Sequence, residues 1–159
     1  MKRVYLLRHG KTEKESDSGR DFDRALKSKG EAEVQAVSRK LGETGVRFDL
    51  LLSSSAPRAA ESARIAAEAM DGPALQTSNE LYDADMEDFL RLLQGLDETV
   101  ETVMLVGHNP GIEDTVEAFL GKHRKVGTSN IMWLEMDCSS WDELNFDVPV
   151  LRSGLIVPG

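Results

Sequence analysis

This chain of 159 residues holds a single cysteine, five prolines, two tryptophans and two tyrosines. With only Cys138 present, an internal disulfide and any cysteine-based metal cluster are excluded. No apolar run approaches the roughly 20 residues of a membrane span. The opening residues, Met1 to Leu7, enter a strand-like run and show no signal-peptide layout. An excess of positive charge is missing too: 19 Lys and Arg stand against 28 Asp and Glu, a net charge of -9. That balance works against sequence-independent binding to DNA, RNA or an anionic membrane surface. No repeat, low-complexity stretch or Pro/Gly/Ser-rich linker divides the chain. The expectation is one cytoplasmic domain over residues 1–159, without nucleic-acid or membrane partners.

What is present is 40% hydrophobic and 30% charged, the composition of a globular protein. Apolar runs alternate with amphipathic ones. Val4-Tyr5-Leu6-Leu7, Phe48 to Ser53 and Val103-Met104-Leu105-Val106-Gly107 read as strands, the last the most apolar. A short strand follows near Leu75 to Thr77, and two late ones are predicted near Asn130 to Met136 and Leu144 to Val148. Ser28-x-x-Glu31 has the form of a capping box, opening a helix with Val34, Val37 and Leu41 as its stripe. Pro57 starts a second helix with an alanine-rich face, Ala56, Ala59, Ala60, Ala63, Ala66, Ala67 and Met70, which implies close approach to a sheet. Met86, Phe89, Leu90, Leu93 and Leu96 mark a third helix, with Asp85 as its cap. Ile112, Val116, Phe119 and Leu120 mark a fourth, opened by Asn109 as N-cap and Pro110 at the first helical position. Such alternation indicates an α/β domain with a mostly parallel sheet, whose ligands sit beyond the carboxyl ends of the strands.

Three strand ends carry polar residues: Arg8-His9-Gly10, Ser53 to Arg58, and His108-Asn109. If those strands are parallel neighbours, Arg8, His9, Arg58 and His108 converge on one sheet edge. Two arginines grip a phosphate group through paired N–H donors, and a histidine supplies a nucleophile or a proton donor. Read separately, the same residues are a surface Arg-His pair, a solvated helix arginine and a turn with its cap.

Leu7-Arg8-His9-Gly10, then Ser53-Ser54-Ser55-Ala56-Pro57-Arg58-Ala59, then Val106-Gly107-His108-Asn109-Pro110-Gly111 together resemble the histidine phosphatase superfamily, and within it the SixA-like phosphohistidine phosphatases. Asp23-Arg24-Ala25-Leu26 and Leu81-Tyr82-Asp83-Ala84 add to the likeness, which runs from residue 4 to about residue 136. The resemblance implies a three-layer phosphoglycerate-mutase-like fold with helices on both faces of the sheet. It makes His9 the nucleophile that takes the phosphoryl group, and Arg8, Arg58, His108 and Gly10 the residues around the phosphate oxygens. It implies no metal and no cofactor: fixed cations stabilise the charge that develops on the transferring group.

The general acid is the least defined part. The family's position for it falls on Asp83, with Glu80 three residues earlier and Asp21 and Asp23 ahead of Arg24 as other candidates. Arg24 and Thr128 are supporting candidates beside the site. An alkoxide leaving group needs a dedicated acid far more than an imidazole does, so a vague acid favours phosphohistidine as substrate. Only 50 positions separate Arg58 from His108, which leaves little chain for a lid and points to an open pocket that admits a protein. The implied partner is a phosphorylated protein, a histidine-containing phosphotransfer domain being one form of it. Three alternatives stay open: a phosphatase for small phosphomonoesters, a metal-dependent hydrolase using His9 and His108, and a noncatalytic phosphate-binding module. His123, in the basic run 122–125, reads as a solvated turn, and Trp133 and Trp141 as packing residues.

Overall fold

In a computed structural model describing residues 1–159, the Val4–Leu7 run forms the centre of strand β1 (Lys2–Arg8). Its side chains alternate between two cores, as a strand covered on both faces requires. Val4 and Leu6 point to one side, Tyr5 and Leu7 to the other. Chain order then gives α1 (Ser28–Gly42), β2 (Leu50–Ser54), α2 (Pro57–Met70), β3 (Leu75–Ser78) and α3 (Met86–Gln94). After these come β4 (Thr102–Gly107), α4 (Gly111–Leu120), β5 (Ile131–Met136) and β6 (Val150–Ile156). The sheet order is β3-β2-β4-β1-β5-β6. The first four of these strands are mutually parallel, and β5 and β6 add antiparallel pairs at one side.

Helices α1 and α2 cover one face through Val34, Val37, Leu41, Ala59, Ala63 and Ala66, all buried. Helices α3 and α4 cover the other through Phe89, Leu93, Ile112, Val116 and Phe119. The result is a three-layer α/β fold. Burial of one such side chain, Phe89 for instance, stabilises the fold by about 1.5–3 kcal/mol. The alanine face of α2 brings that helix onto the sheet. Two polar residues share the buried side of the helix, Arg58 and Ser62, and both serve the site described below.

Three local expectations are corrected. Helix α1 takes Lys27 as its N-cap, with no side-chain capping bond, so Ser28-x-x-Glu31 is not a capping box. Its start is set by contact with the loop after β1: a β-carbon on Gly30 would lie 2.4 Å from the Lys11 carbonyl oxygen, and one on Gly10 2.9 Å from that of Gly30. At α4, Pro110 occupies the N-cap position and the helix begins at Gly111, one residue later than expected. Asn109 still acts there, its Oδ1 accepting the Glu113 N–H at 3.3 Å. Residues 144–148 form no strand, although Leu144, Phe146 and Val148 alternate. They follow a 3-10 turn (Trp141–Glu143) and pack onto the α3–α4 core, with Phe146 edge-on to Phe119. The last strand is instead β6, an edge strand with little apolar alternation, pairing with β5. Asp85 does cap α3, in a reciprocal box with Asp88. Trp141 is fully buried and donates from Nε1 to the Val100 carbonyl, while Trp133 stacks on Tyr5. No helix is long and apolar enough to cross a membrane.

Candidate active site

Strands β2, β4 and β1 are adjacent and parallel, so their carboxyl ends open on the same edge of the sheet. That register brings Arg8 opposite Gly107 and carries His9, Arg58 and His108 to one pocket of about 360 Å³. Lys11, Thr12, Asp21, Arg24, Tyr82, Asp83, Asn109 and Thr128 complete its wall.

The His9 ring is held from behind. Its Nδ1 lies 2.7 Å from the Gly10 carbonyl oxygen, which only accepts, so Nδ1 carries the proton and Nε2 is left with its lone pair. Gly10 is fixed in turn, its N–H donating to Ser62 Oγ at 3.0 Å while Ser62 donates to the Arg58 carbonyl at 2.7 Å. The Gly10 amide is thus committed, and Gly10 is not part of the pocket wall. This corrects its expected place among the phosphate contacts, because its contribution is to orient His9. Ser129, at positive φ, shares its N–H between the Arg8 and His9 carbonyls at 3.0 and 3.2 Å.

Both guanidinium groups are braced and partly unspent. Arg8 donates from Nη1 to the Val126 carbonyl, which also accepts from Asn109 Nδ2, and the Val126 N–H is held by Glu113. Arg58 donates from Nη1 to the Asp21 carbonyl at 2.7 Å and from Nη2 to Asp21 Oδ2 at 2.9 Å. To Arg8 Nε, Arg58 Nε and His108 Nδ1, all buried, the protein offers no acceptor of its own. The His108 ring lies 5.1 Å from that of His9, centre to centre.

Burial, with the nearby arginine charges in support, lowers the pKa of His9 to about 4 despite the Gly10 bond, which acts the other way. Burial, with the neighbouring His9 and Arg58 charges, lowers His108 to about 3. Both rings are therefore neutral in the folded protein near pH 7, as a nitrogen nucleophile must be. A stability effect follows. Unfolded histidines bind protons below their ordinary value of 6.5, while the folded ones refuse them until about 4 and 3. The unfolded state thus gains protons first, and stability falls as pH drops from 6.5 toward those values. Thermal melts between pH 6.5 and 5, above the carboxylate range, are expected to show this slope in the wild type. A His9→Gln, His108→Gln double variant is expected to flatten it, and an unchanged slope would refute the assignment.

The acid candidates separate cleanly. Asp21 binds Arg58, Arg24 (Oδ1, 3.0 Å) and the Tyr82 hydroxyl (3.1 Å). Those partners, Arg24 foremost, lower its pKa to about 2, so it is ionised and holds no proton to give. It is the brace of Arg58, not an acid. Glu80 is exposed on a 3-10 turn (Asn79–Leu81) and Asp23 accepts from Ser18, and neither belongs to the pocket wall. Asp83, exposed and at positive φ, is the remaining carboxylate of the wall. Arg24 and Thr128 line the pocket as expected, with Arg24 also bonded to the Glu13 carbonyl and Thr12. Sequence reasoning missed Tyr82, Ser54 and Ser62 as parts of the site. Ser62 had a readable sign, a hydroxyl one turn beyond Arg58 on a face otherwise made of alanine.

Two neutral histidines and two braced arginines thus gather at the carboxyl edge of a parallel sheet, a set whose chemistry suits a tetrahedral oxyanion. Comparison with known proteins gives the family. Residues 4–104 match the histidine phosphatase superfamily (branch 1), and the chain belongs to that family. A proposed phosphohistidine phosphatase, SixA from Agrobacterium tumefaciens, is 32% identical in its solved structure, with a TM-score of 0.81 and 96% of each chain covered. A protein histidine phosphatase SixA solved with tungstate superposes at a TM-score of 0.83 with 21% identity, over 98% of this chain and 97% of that one, a likeness of fold. An uncharacterised protein of Picosynechococcus is 31% identical over 137 residues, 82% of this chain and 83% of its own. The chain is SixA-like, and its family and neighbours support phosphatase activity.

Proposed function

We propose that this protein is a phosphatase that works without a metal, through a phosphorylated His9, on phosphohistidine carried by another protein. The observation that supports it best is the set of buried nitrogens without a protein acceptor, Arg8 Nε, Arg58 Nε and His108 Nδ1, around the neutral Nε2 of His9. Buried polar groups are almost always bonded, so nitrogens left this way on one pocket are matched to a ligand's oxygens.

His9 Nε2 attacks phosphorus while the bond from phosphorus to the substrate's ring nitrogen breaks. The leaving imidazole departs as a neutral ring when its second nitrogen already carries a proton. Arg8 and Arg58 hold the oxygens on which charge develops. Water then attacks phosphorus, the bond to Nε2 breaks, and dihydrogen phosphate leaves with His9 restored. Asp21 cannot serve as acid, and Asp83 is exposed at the rim, so the site suits a leaving group that makes little demand on one. That favours phosphohistidine over alkyl phosphates. The small-ester reading rests on the same pocket and differs in its demand on Asp83.

The test compares kcat/KM on a phosphohistidine-bearing phosphotransfer domain with that on an alkyl phosphate ester, phosphoserine, both in EDTA. At least a hundredfold preference for the protein is expected, on the order of what removing one acid–base contribution costs an ester. Turnover of the ester alone would overturn the substrate assignment, and activity that requires an added divalent ion would overturn the mechanism.

A further inference from the structure

Ser54, the last residue of β2, stands behind His108 and is fully buried. Its Oγ lies 2.8 Å from His108 Nε2 and accepts the Ala56 N–H at 3.2 Å. A serine hydroxyl has one proton to place. The Ala56 amide is a donor and cannot take it, and the one other partner of this oxygen is His108 Nε2. In the opposite arrangement, with Nε2–H donating to Oγ, the serine proton would be buried without an acceptor. A bare lone pair on Nδ1 would then face the position meant for anionic oxygens. Both consequences are unfavourable.

We infer that Ser54 donates to His108 Nε2, fixes the ring as the Nδ1–H tautomer, and so makes His108 the third hydrogen-bond donor to the phosphoryl group. The inference rests on the phosphate-handling reading above and makes Ser54 a positioning residue, since it acts through His108. The neighbouring histidine is set the other way. A carbonyl acceptor behind His9 keeps the proton on the buried nitrogen and turns a lone pair to the pocket. A hydroxyl donor behind His108 takes up the lone pair and turns a proton to the pocket. Two rings 5.1 Å apart thus receive opposite tasks, attack and donation, from the chemistry of what stands behind each. Because burial keeps the His108 ring neutral, it has a single ring proton, whose position must be dictated from outside.

The test is nitrogen NMR of histidine-labelled protein, with His108 assigned by loss of its signals in His108→Gln. The wild type is expected to show His108 protonated at Nδ1, both alone and with tungstate. A dominant Nε2–H form would overturn the inference whatever the variants do. Ser54→Ala is expected to shift the tautomer toward Nε2–H and to weaken tungstate binding about tenfold, the effect of losing one hydrogen bond. Ser54→Thr, which keeps the hydroxyl, is expected to restore both. An unchanged tautomer and affinity in a folded Ser54→Ala would refute the role. Neither readout needs turnover, so a protein that fails to hydrolyse phosphohistidine yet shows Nδ1–H at His108 would sink the proposed function and leave this assignment standing.

Discussion

Replacing His9 by alanine is expected to slow phosphohistidine hydrolysis by at least about 10⁴-fold while tungstate still binds within a few-fold of its wild-type affinity. The two effects part because the nucleophile and the oxyanion donors are different atoms. His9 presents a lone pair, and its proton is spent on the Gly10 carbonyl, so the ring contributes little to holding an anion. Arg8, Arg58 and His108 are untouched by the change. The check is a rapid-mixing experiment with radiolabelled substrate. Wild type should pass through an acid-labile, alkali-stable phosphoprotein, and His9→Ala should form none. Equal turnover by the variant would remove covalent catalysis from consideration, and loss of tungstate binding would mean that His9 organises the pocket as well as attacking.

Arg58 is expected to be the most costly residue after the nucleophile, with Arg58→Ala lowering kcat/KM about 10³-fold, the scale of a charged donor on a transferring phosphoryl group. Its environment makes the finer expectation sharper. Arg58 is 5% exposed and grips Asp21 with one N–H from each terminal nitrogen, which leaves Nε and the second N–H of Nη1 and of Nη2 as donors for the site. Lysine has neither the plane nor the fork, so Arg58→Lys should rescue less than a tenth of the loss. Asp21→Asn keeps an oxygen for Nη2 but removes the charge that steadies two arginines, and about a tenfold fall is expected. A steady-state series over Arg58→Ala, Arg58→Lys and Asp21→Asn decides it. Near-equality of Arg58→Lys with wild type would reduce Arg58 to a point charge.

Most of the framework could be read from the chain because its signals are local and repeated. The three strand-end motifs sit where a parallel sheet must gather them, and apolar periodicity placed all four helices. Failures arose where a long-range contact replaces a local rule. Ser28 and Glu31 match a capping pattern, yet the packing of Gly30 on Lys11 decides where that helix begins. Leu144, Phe146 and Val148 alternate like a strand but have no strand to pair with, since β5 already pairs with β6. At the site, charge alone could not sort the carboxylates. Asp21 lies 37 residues from Arg58 in sequence and was separated from the acid candidates only by the bonds it makes in space. Ser54 behind His108 was invisible for the same reason: a hydroxyl's task depends on which nitrogen it meets.

The contact between Gly10 and Gly30 has a consequence for how the sequence can drift. Neither residue lines the pocket, yet Gly10 leaves space that the Gly30 backbone has taken, and Gly30 leaves space that the Lys11 backbone has taken. A single methyl group at position 30 would push the Lys11 backbone, and with it the Gly10 carbonyl that aims the nucleophile. On the proposed mechanism, catalysis is expected to depend on two absent carbon atoms about as directly as on His9. Substitutions at the exposed rim, Asp83 among them, meet no such obstacle, so this seam tolerates far less change than the edge of the pocket does.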